Sequence, residues 1–188
     1  MTTTTEKVEA TTDINPVTTK KPMVWIGCLA AYNEGFLHGE WVEIPTHIEA
    51  LRDQIKKVIE TSPAEYAEEW FFADHENCPE SFGEYEDLNS LINFANAVDE
   101  HGIDKVNAYL QFADITDLDN IDDCYHGCWD SWDSFANEMA DEQIACHTSQ
   151  NKNEFLERYF DYEMFARDLS YDYNECWEGG ECYVFSNY

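Results

Sequence analysis

The chain has 188 residues, of which 44% are hydrophobic and 15% aromatic, and its formal net charge is −30. That length supports one or two domains with a real core, and that apolar share excludes a wholly disordered acidic chain. The charge disfavours direct binding to nucleic acid or to an anionic membrane and favours a basic partner.

Residues 1–22 hold eight threonines and two prolines and have almost nothing to bury, so they read as a disordered leader. They also lack the apolar segment of a secretory signal. From residue 23 the texture changes. Residues 23–32 are a continuous apolar run of strand length and predict a central strand. Asn33-Glu34-Gly35 marks a turn, and residues 39–44 alternate as a second, antiparallel strand. Thr46 and Glu49 have capping-box spacing ahead of a helix over 48–61, with Ile48, Leu51, Ile55, Val58 and Ile59 on one face. Residues 69–74 predict a third strand. Together, 23–75 predict a three-stranded sheet crossed by one helix.

Residues 75–83 read as a loop. Asp87 can cap a helix over 88–101 that stops at Gly102, and Asp104 can cap a short one through 113. These make a helical middle unit, 76–113. The remainder, 114–188, reads as an acidic α+β unit. It holds two helices broken near Gly127, a helix over 151–160, and a helix after Asp161 through 169. A strand over 181–185 follows the Gly179-Gly180 turn. The fold class predicted is α+β and elongated.

The acids are unevenly placed. Residues 1–60 hold nine acids and six bases, whereas 61–188 hold 31 acids and four bases. Such self-repulsion weakens a compact state and makes its stability salt-dependent. Solubility needs far less charge. The densest tract is 114–142, with ten carboxylates (Asp114, Asp117, Asp119, Asp122, Asp123, Asp130, Asp133, Glu138, Asp141, Glu142) and no Lys or Arg. Ile115, Leu118, Ile121, Tyr125, Trp129, Trp132, Phe135 and Met139 recur within it at steps of three and four, as on one helix face. Asp119, Asp123, Asp130, Asp133 and Asp141 follow a second stripe. Fully helical, the tract would span roughly 43 Å, or one charge per about 4 Å. One strand of DNA carries one charge per about 3.4 Å. The tract therefore reads as a surface that resembles DNA electrostatically.

Other chemistries fit less well. Halophilic adaptation also gives acidic surfaces, but it spreads the charge. Close carboxylate pairs suit a glycosidase, yet with 40 acids they arise by chance. Cys124, His126 and Cys128, with Cys146 and His147 downstream, suggest zinc but lack a second clean ligand pair. The aspartates at 114–122 lack the glycine and glutamate of a calcium loop. No metal, cofactor or catalytic residue is expected. Seven cysteines, an odd number with no secretory signal ahead of them, read as reduced thiols of a cytoplasmic protein. No apolar run reaches the roughly 18–20 residues of a membrane span.

Two separated motifs carry a family resemblance. Leu29-Ala-Ala-Tyr-Asn-Glu-Gly-Phe-Leu-His-Gly-Glu-Trp41 resembles the N-terminal signature of ArdA-type antirestriction proteins. That signature is a strand ending in Leu-x-Ala-Tyr-Asn, then a Gly, a small loop and Gly-x-Trp. Glu68, Glu69, Trp70, Tyr85 and Glu86 also fit. Residues 156–169 are similar to the family's antirestriction motif, here Tyr159, Phe160, Asp161, Tyr162 and Glu163, then Phe165, Ala166, Arg167 and Asp168. The resemblance covers about residues 24–186. The threonine-rich leader and the Cys/His/Trp cluster at 124–132 depart from it.

The resemblance implies a non-enzymatic mimic of bent duplex DNA, built from three small units in series and often homodimeric. Its implied partner is a type I restriction–modification enzyme, whose methyltransferase–specificity core it would occupy. Tyr162, Phe165 and Leu169 share a helix face that reads either as a dimer seam or as local core. Arg158 and Arg167 read as partners of neighbouring acids. Two further readings remain: a DNA mimic aimed at another DNA-binding defence or regulatory protein, and a salt-adapted acidic domain with metal-binding or enzymatic activity.

Overall fold

The computed structural model describes residues 20–147 and 158–187. Most of the expected leader and the start of the helix expected at 151–160 lie outside those residues. Among the described residues the fold is α+β, with two three-stranded antiparallel sheets joined by helices.

The first sheet has the order β2-β1-β3, with β1 (Met23–Cys28) between β2 (Gly39–Glu43) and β3 (Trp70–Glu76). Val24, Ile26 and Cys28 turn inward, and α2 (Ile48–Glu60) lays Leu51, Ile55 and Val58 over them. The expected strand over 23–32 is too long. Its last residues form a short helix, α1 (Leu29–Asn33), whose Leu29 N–H donates to the Glu69 carbonyl. An unbroken apolar run has no period, so it cannot mark where strand becomes helix. The Thr46 capping box is not formed either. The helix begins at Ile48 as expected, but its cap is His47, with no side-chain bond there. Thr46 then lies outside the cap position that a box requires.

α3 (Leu88–His101) is capped as expected: the Asp87 carboxylate accepts from the N–H of Asn89 at 2.8 Å and of Ser90 at 3.3 Å. Gly102, at φ 81°, both ends α3 and begins α4 (Ile103–Tyr109). Asp104 is thereby moved from the expected cap into the first turn of α4, and α4 stops short of 113. A glycine at this φ lets two helices meet with no loop between them.

The acidic tract departs most from expectation. It is a 3-10 turn (Ile115–Asn120), a short α5 (Ile121–Cys124), a strand β4 (Tyr125–Trp129) and α6 (Trp132–His147). Gly127, expected to break two helices, lies inside β4 at φ 113°. After α7 (Tyr162–Leu169), β5 (Tyr173–Glu178) and β6 (Glu181–Ser186) form a hairpin around Gly179-Gly180, both at positive φ. The second sheet has the order β4-β6-β5, so the one expected C-terminal strand is the centre of three.

Buried side chains connect the two sheets. One cluster runs from Val24 and Ile26 through Phe94 of α3 and Tyr109 of α4 to Phe185 of β6. The Phe185 ring lies 5.4 Å from Tyr109 and 5.5 Å from Phe112. The opposite face of β6 supplies Cys182 and Val184 to a smaller cluster closed by Phe135 of α6. The second sheet is therefore covered on both faces, and the acidic tract wraps around it.

Candidate acidic interface

Eight of the ten expected carboxylates sit on helical elements, and Asp114 and Asp130 flank them. Asp114 caps the 3-10 turn by accepting from the Thr116 N–H at 3.2 Å. Asp117 and Asp119 follow on that turn, and Asp122 and Asp123 lie on α5. Asp130 follows β4, and Asp133, Glu138, Asp141 and Glu142 lie on α6. Nine of the ten are exposed; Asp117 is half-buried. Leu118, Ile121, Cys124, Phe135, Ala136, Ala140 and Ile144 turn inward between them. The apolar residues that the spacing selected do face inward. The expected single helical stripe of Asp119, Asp123, Asp130, Asp133 and Asp141 is not formed, because a strand interrupts it. The tract therefore does not run as a straight 29-residue rod.

A cation missed at the sequence level organises the start of this surface. Lys105 of α4 donates to Asp122 Oδ1 at 2.6 Å and lies 4.1 Å from the centre of the Tyr125 ring. Its side chain is only 13% exposed. That hydrogen bond holds the Asp122 carboxyl below its ordinary value; partial desolvation opposes it, and the Lys105 charge adds a lesser pull in the same direction. Lys105 is the sole base between residues 58 and 151, a signal already present in the sequence.

The motif near the C-terminus is also at the surface. Asp161 caps α7 by accepting from the Met164 N–H at 2.9 Å. The Tyr162 hydroxyl donates to Asp141 Oδ1 at 2.8 Å and ties α7 to the acidic α6. The Phe160 ring lies 5.0 Å from Tyr162 and 5.4 Å from Phe165. Tyr159 is 69% exposed, Glu163 and Asp168 are exposed, and Phe165 is half-buried. No residue of α7 is fully buried. Leu169 packs on the smaller cluster. Arg167 pairs with Asp168 next to it at 2.8 Å, as its sequence position suggested.

Among the described residues the cysteine–histidine spacing does not converge. Cys124 is buried and donates to the carbonyl of Asn120 at 3.3 Å. Cys128 is exposed and faces Glu181 Oε2 at 3.4 Å; partial burial, then Glu181, push its thiol up to about 11. His126 stacks edge-on against Tyr173 at 4.9 Å. The aspartates at 114–122 are likewise spread along a turn and α5, with Asp114 spent on its cap. No helix among the described residues is long and apolar enough to cross a membrane.

The N-terminal signature has a steric explanation. A Cβ on Gly39 would strike the Ile26 carbonyl and the Trp25 ring across the β1–β2 pair. Trp41 stands edge-on to Trp25 at 5.9 Å, and Tyr32 packs against Phe71 at 5.5 Å. The Gly-x-Trp pattern is thus the price of a close strand crossing beside a tryptophan pair.

Compared with known proteins, residues 24–181 match a family model described as antirestriction protein (ArdA). No curated protein matches the chain.

Proposed function

Because this chain belongs to the ArdA family of antirestriction proteins, we propose that it acts by DNA mimicry. Its acidic surface would occupy the DNA-binding groove of a type I restriction–modification enzyme, at the methyltransferase–specificity core. In this reading it is a cytoplasmic, non-enzymatic inhibitor that needs no cofactor. The body is elongated, with units at 23–75, 76–113 and 114–188 in series, and pairs as a homodimer through the motif around Phe165.

The observation that carries this reading is that nine of the ten carboxylates of 114–142 are exposed while their apolar neighbours are buried. A DNA groove is lined with Lys and Arg that displace counterions from phosphates. Carboxylates fixed at comparable density satisfy the same cations without any base being read. The 27 net charges of residues 61–188 equal those of roughly 46 Å of B-DNA, about 13–14 base pairs. A dimer would double that length.

The direct test is competition. The protein should displace duplex DNA from a purified type I methyltransferase core, with inhibition relieved by added DNA. A core that binds DNA equally well in saturating protein would overturn the reading.

A further inference from the structure

The first sheet differs from the second in having an open face. Directly paired residues of neighbouring strands share a face, and α2 takes the side of Val24, Ile26 and Val42. The other side holds Trp41, Trp25 and Asp74 in one row, and Glu43, Met23 and Glu76 in the next. Trp41, Asp74, Glu43 and Glu76 are all exposed on it. Trp25 and Trp41 meet edge-on at 5.9 Å. Glycines lie beneath two rings of this face: Phe71 rests against Gly27, as Trp25 does against Gly39. The missing side chains let both rings settle onto the backbone and make the face an aromatic platform. Tyr32, 59% exposed, extends it by packing against Phe71.

A contiguous exposed aromatic surface marks a docking site, and the charges on this one point to the occupant. Lys21 holds Glu43, but among the described residues Asp74 and Glu76 form no ion pair. Asp74 Oδ1 accepts from the His75 N–H at 2.8 Å, and its other oxygen is left for a second donor. Cross-strand neighbours stand about 4.5–5.5 Å apart at Cβ, and a cation stacks on an indole within about 6 Å of its centre. One cation can therefore meet the Trp25 ring and the Asp74 carboxylate together. The ring leans over Gly39 on β2, which leaves its β3 side to Asp74. A guanidinium suits both groups, being planar for stacking and forked for a carboxylate; an ammonium is neither.

We propose that this face docks an arginine-bearing segment of a partner protein, with one guanidinium stacked on the Trp25–Trp41 pair and held by Asp74. Glu76, one row away, receives a second base. The net charge of −30 draws such a segment in and disfavours nucleic acid, the other common occupant of an aromatic platform. Gly39 and Trp41 of the N-terminal signature then build a binding face as well as a strand crossing. This surface goes beyond the mimicry reading and does not depend on it, because it recognises a cation by stacking and not by charge density alone.

The test is a titration of the full chain with tetra-arginine and tetra-lysine amides, matched in charge, at physiological salt. The acidic tract draws both peptides by charge. Tetra-arginine is expected to bind roughly fivefold tighter and to shift the Trp25 and Trp41 indole N–H signals in NMR. W41A and D74N, both at exposed positions, should each erase that preference in a folded chain. Equal affinity for the two peptides, or unmoved indole signals, would overturn the proposal. So would a preference that survives in folded W41A and D74N. Self-association of the peptide-free chain that is lost in W41A would give the face to a second copy and overturn it as well.

Discussion

The two sheets share a plan and differ in charge. Each is three-stranded and antiparallel, each has a central strand with an inward apolar face, and each has a helix across one side. Around the first sheet, lysines meet acids locally: Lys57 holds Glu40 at 2.8 Å, Lys56 faces Glu60 at 3.6 Å, and Lys21 holds Glu43. Around the second, the tract 114–142 has no base of its own and borrows Lys105 from α4. The same architecture thus supports a moderately acidic surface and a strongly anionic one. Apolar alternation sets the sheets, and the exposed positions are left to carry whatever charge function requires.

The largest effect expected from this asymmetry is in salt dependence. If the acidic side engages a cationic groove, inhibition of a type I core should fall by about 10³-fold or more between 50 and 200 mM salt, as for proteins making several phosphate contacts. Measured affinity that is flat over that range would mean the asymmetry has no role in binding.

Next is the junction between the two regions. Phe185 is fully buried and touches Tyr109, Phe112 and Tyr125. Phe185→Ala should cost about 3–5 kcal/mol by leaving a cavity. Ile26→Ala, at the other end of the same cluster, should cost about 2–5 kcal/mol. Both should lower one shared transition in chemical denaturation, because one core joins the sheets. Separate transitions for the two sheets would show that they are stable independently.

A smaller effect concerns the proposed dimer seam. Phe165 is half-buried within its own chain and packs on Phe160. Phe165→Asp should weaken self-association by about 30-fold or more, the scale of an interface anchor, and leave a folded monomer in sedimentation. An unchanged dimer would assign Phe165 to local packing. Below this lies the α7 cap: Asp161→Ala removes the bond to the Met164 N–H and should cost about 1 kcal/mol in thermal unfolding.

The contrast also explains what could be read from the sequence. The first sheet was legible because an apolar run of strand length at 23–32 precedes an alternating stretch at 39–44, and a helix-period pattern follows. Asp87, Gly102 and Asp161 were legible as caps because their local chemistry decides the matter. β4 was hidden because Tyr125, Trp129 and Trp132 fall at helical steps by coincidence, while the partner that makes Tyr125–Trp129 a strand, β6, lies more than 50 residues away. β5 was hidden because, of its six residues, only Cys176 is buried. Its signal was the Gly179-Gly180 pair, since a two-residue turn with both φ positive needs a strand on each side. The ten carboxylates could be named from composition. Their exposure followed from the apolar spacing, but their arrangement required the unseen strand. His101 and Lys105 could not be joined to Asp122 without the fold, because three different helices bring them together.

The smallest expected effect discriminates best between a distributed surface and a localised site. Asp130→Asn, Asp133→Asn, Glu138→Gln and Glu142→Gln each remove one exposed charge from a strongly anionic surface. Exposed single ion pairs contribute about 0–1 kcal/mol, so each substitution should weaken inhibition by about fivefold at most. Separated sites act nearly independently, so the quadruple variant should lose close to the product of the four single losses. Asp122→Asn should deviate from this pattern, because it also frees Lys105 and so leaves the net charge of that local pair at +1 rather than zero. Its loss should exceed that of the other single substitutions and shrink when combined with K105M. A single position outside this pair that abolished inhibition alone would replace the charged surface with a conventional contact site, and the contrast between the two sheets would then be incidental to function.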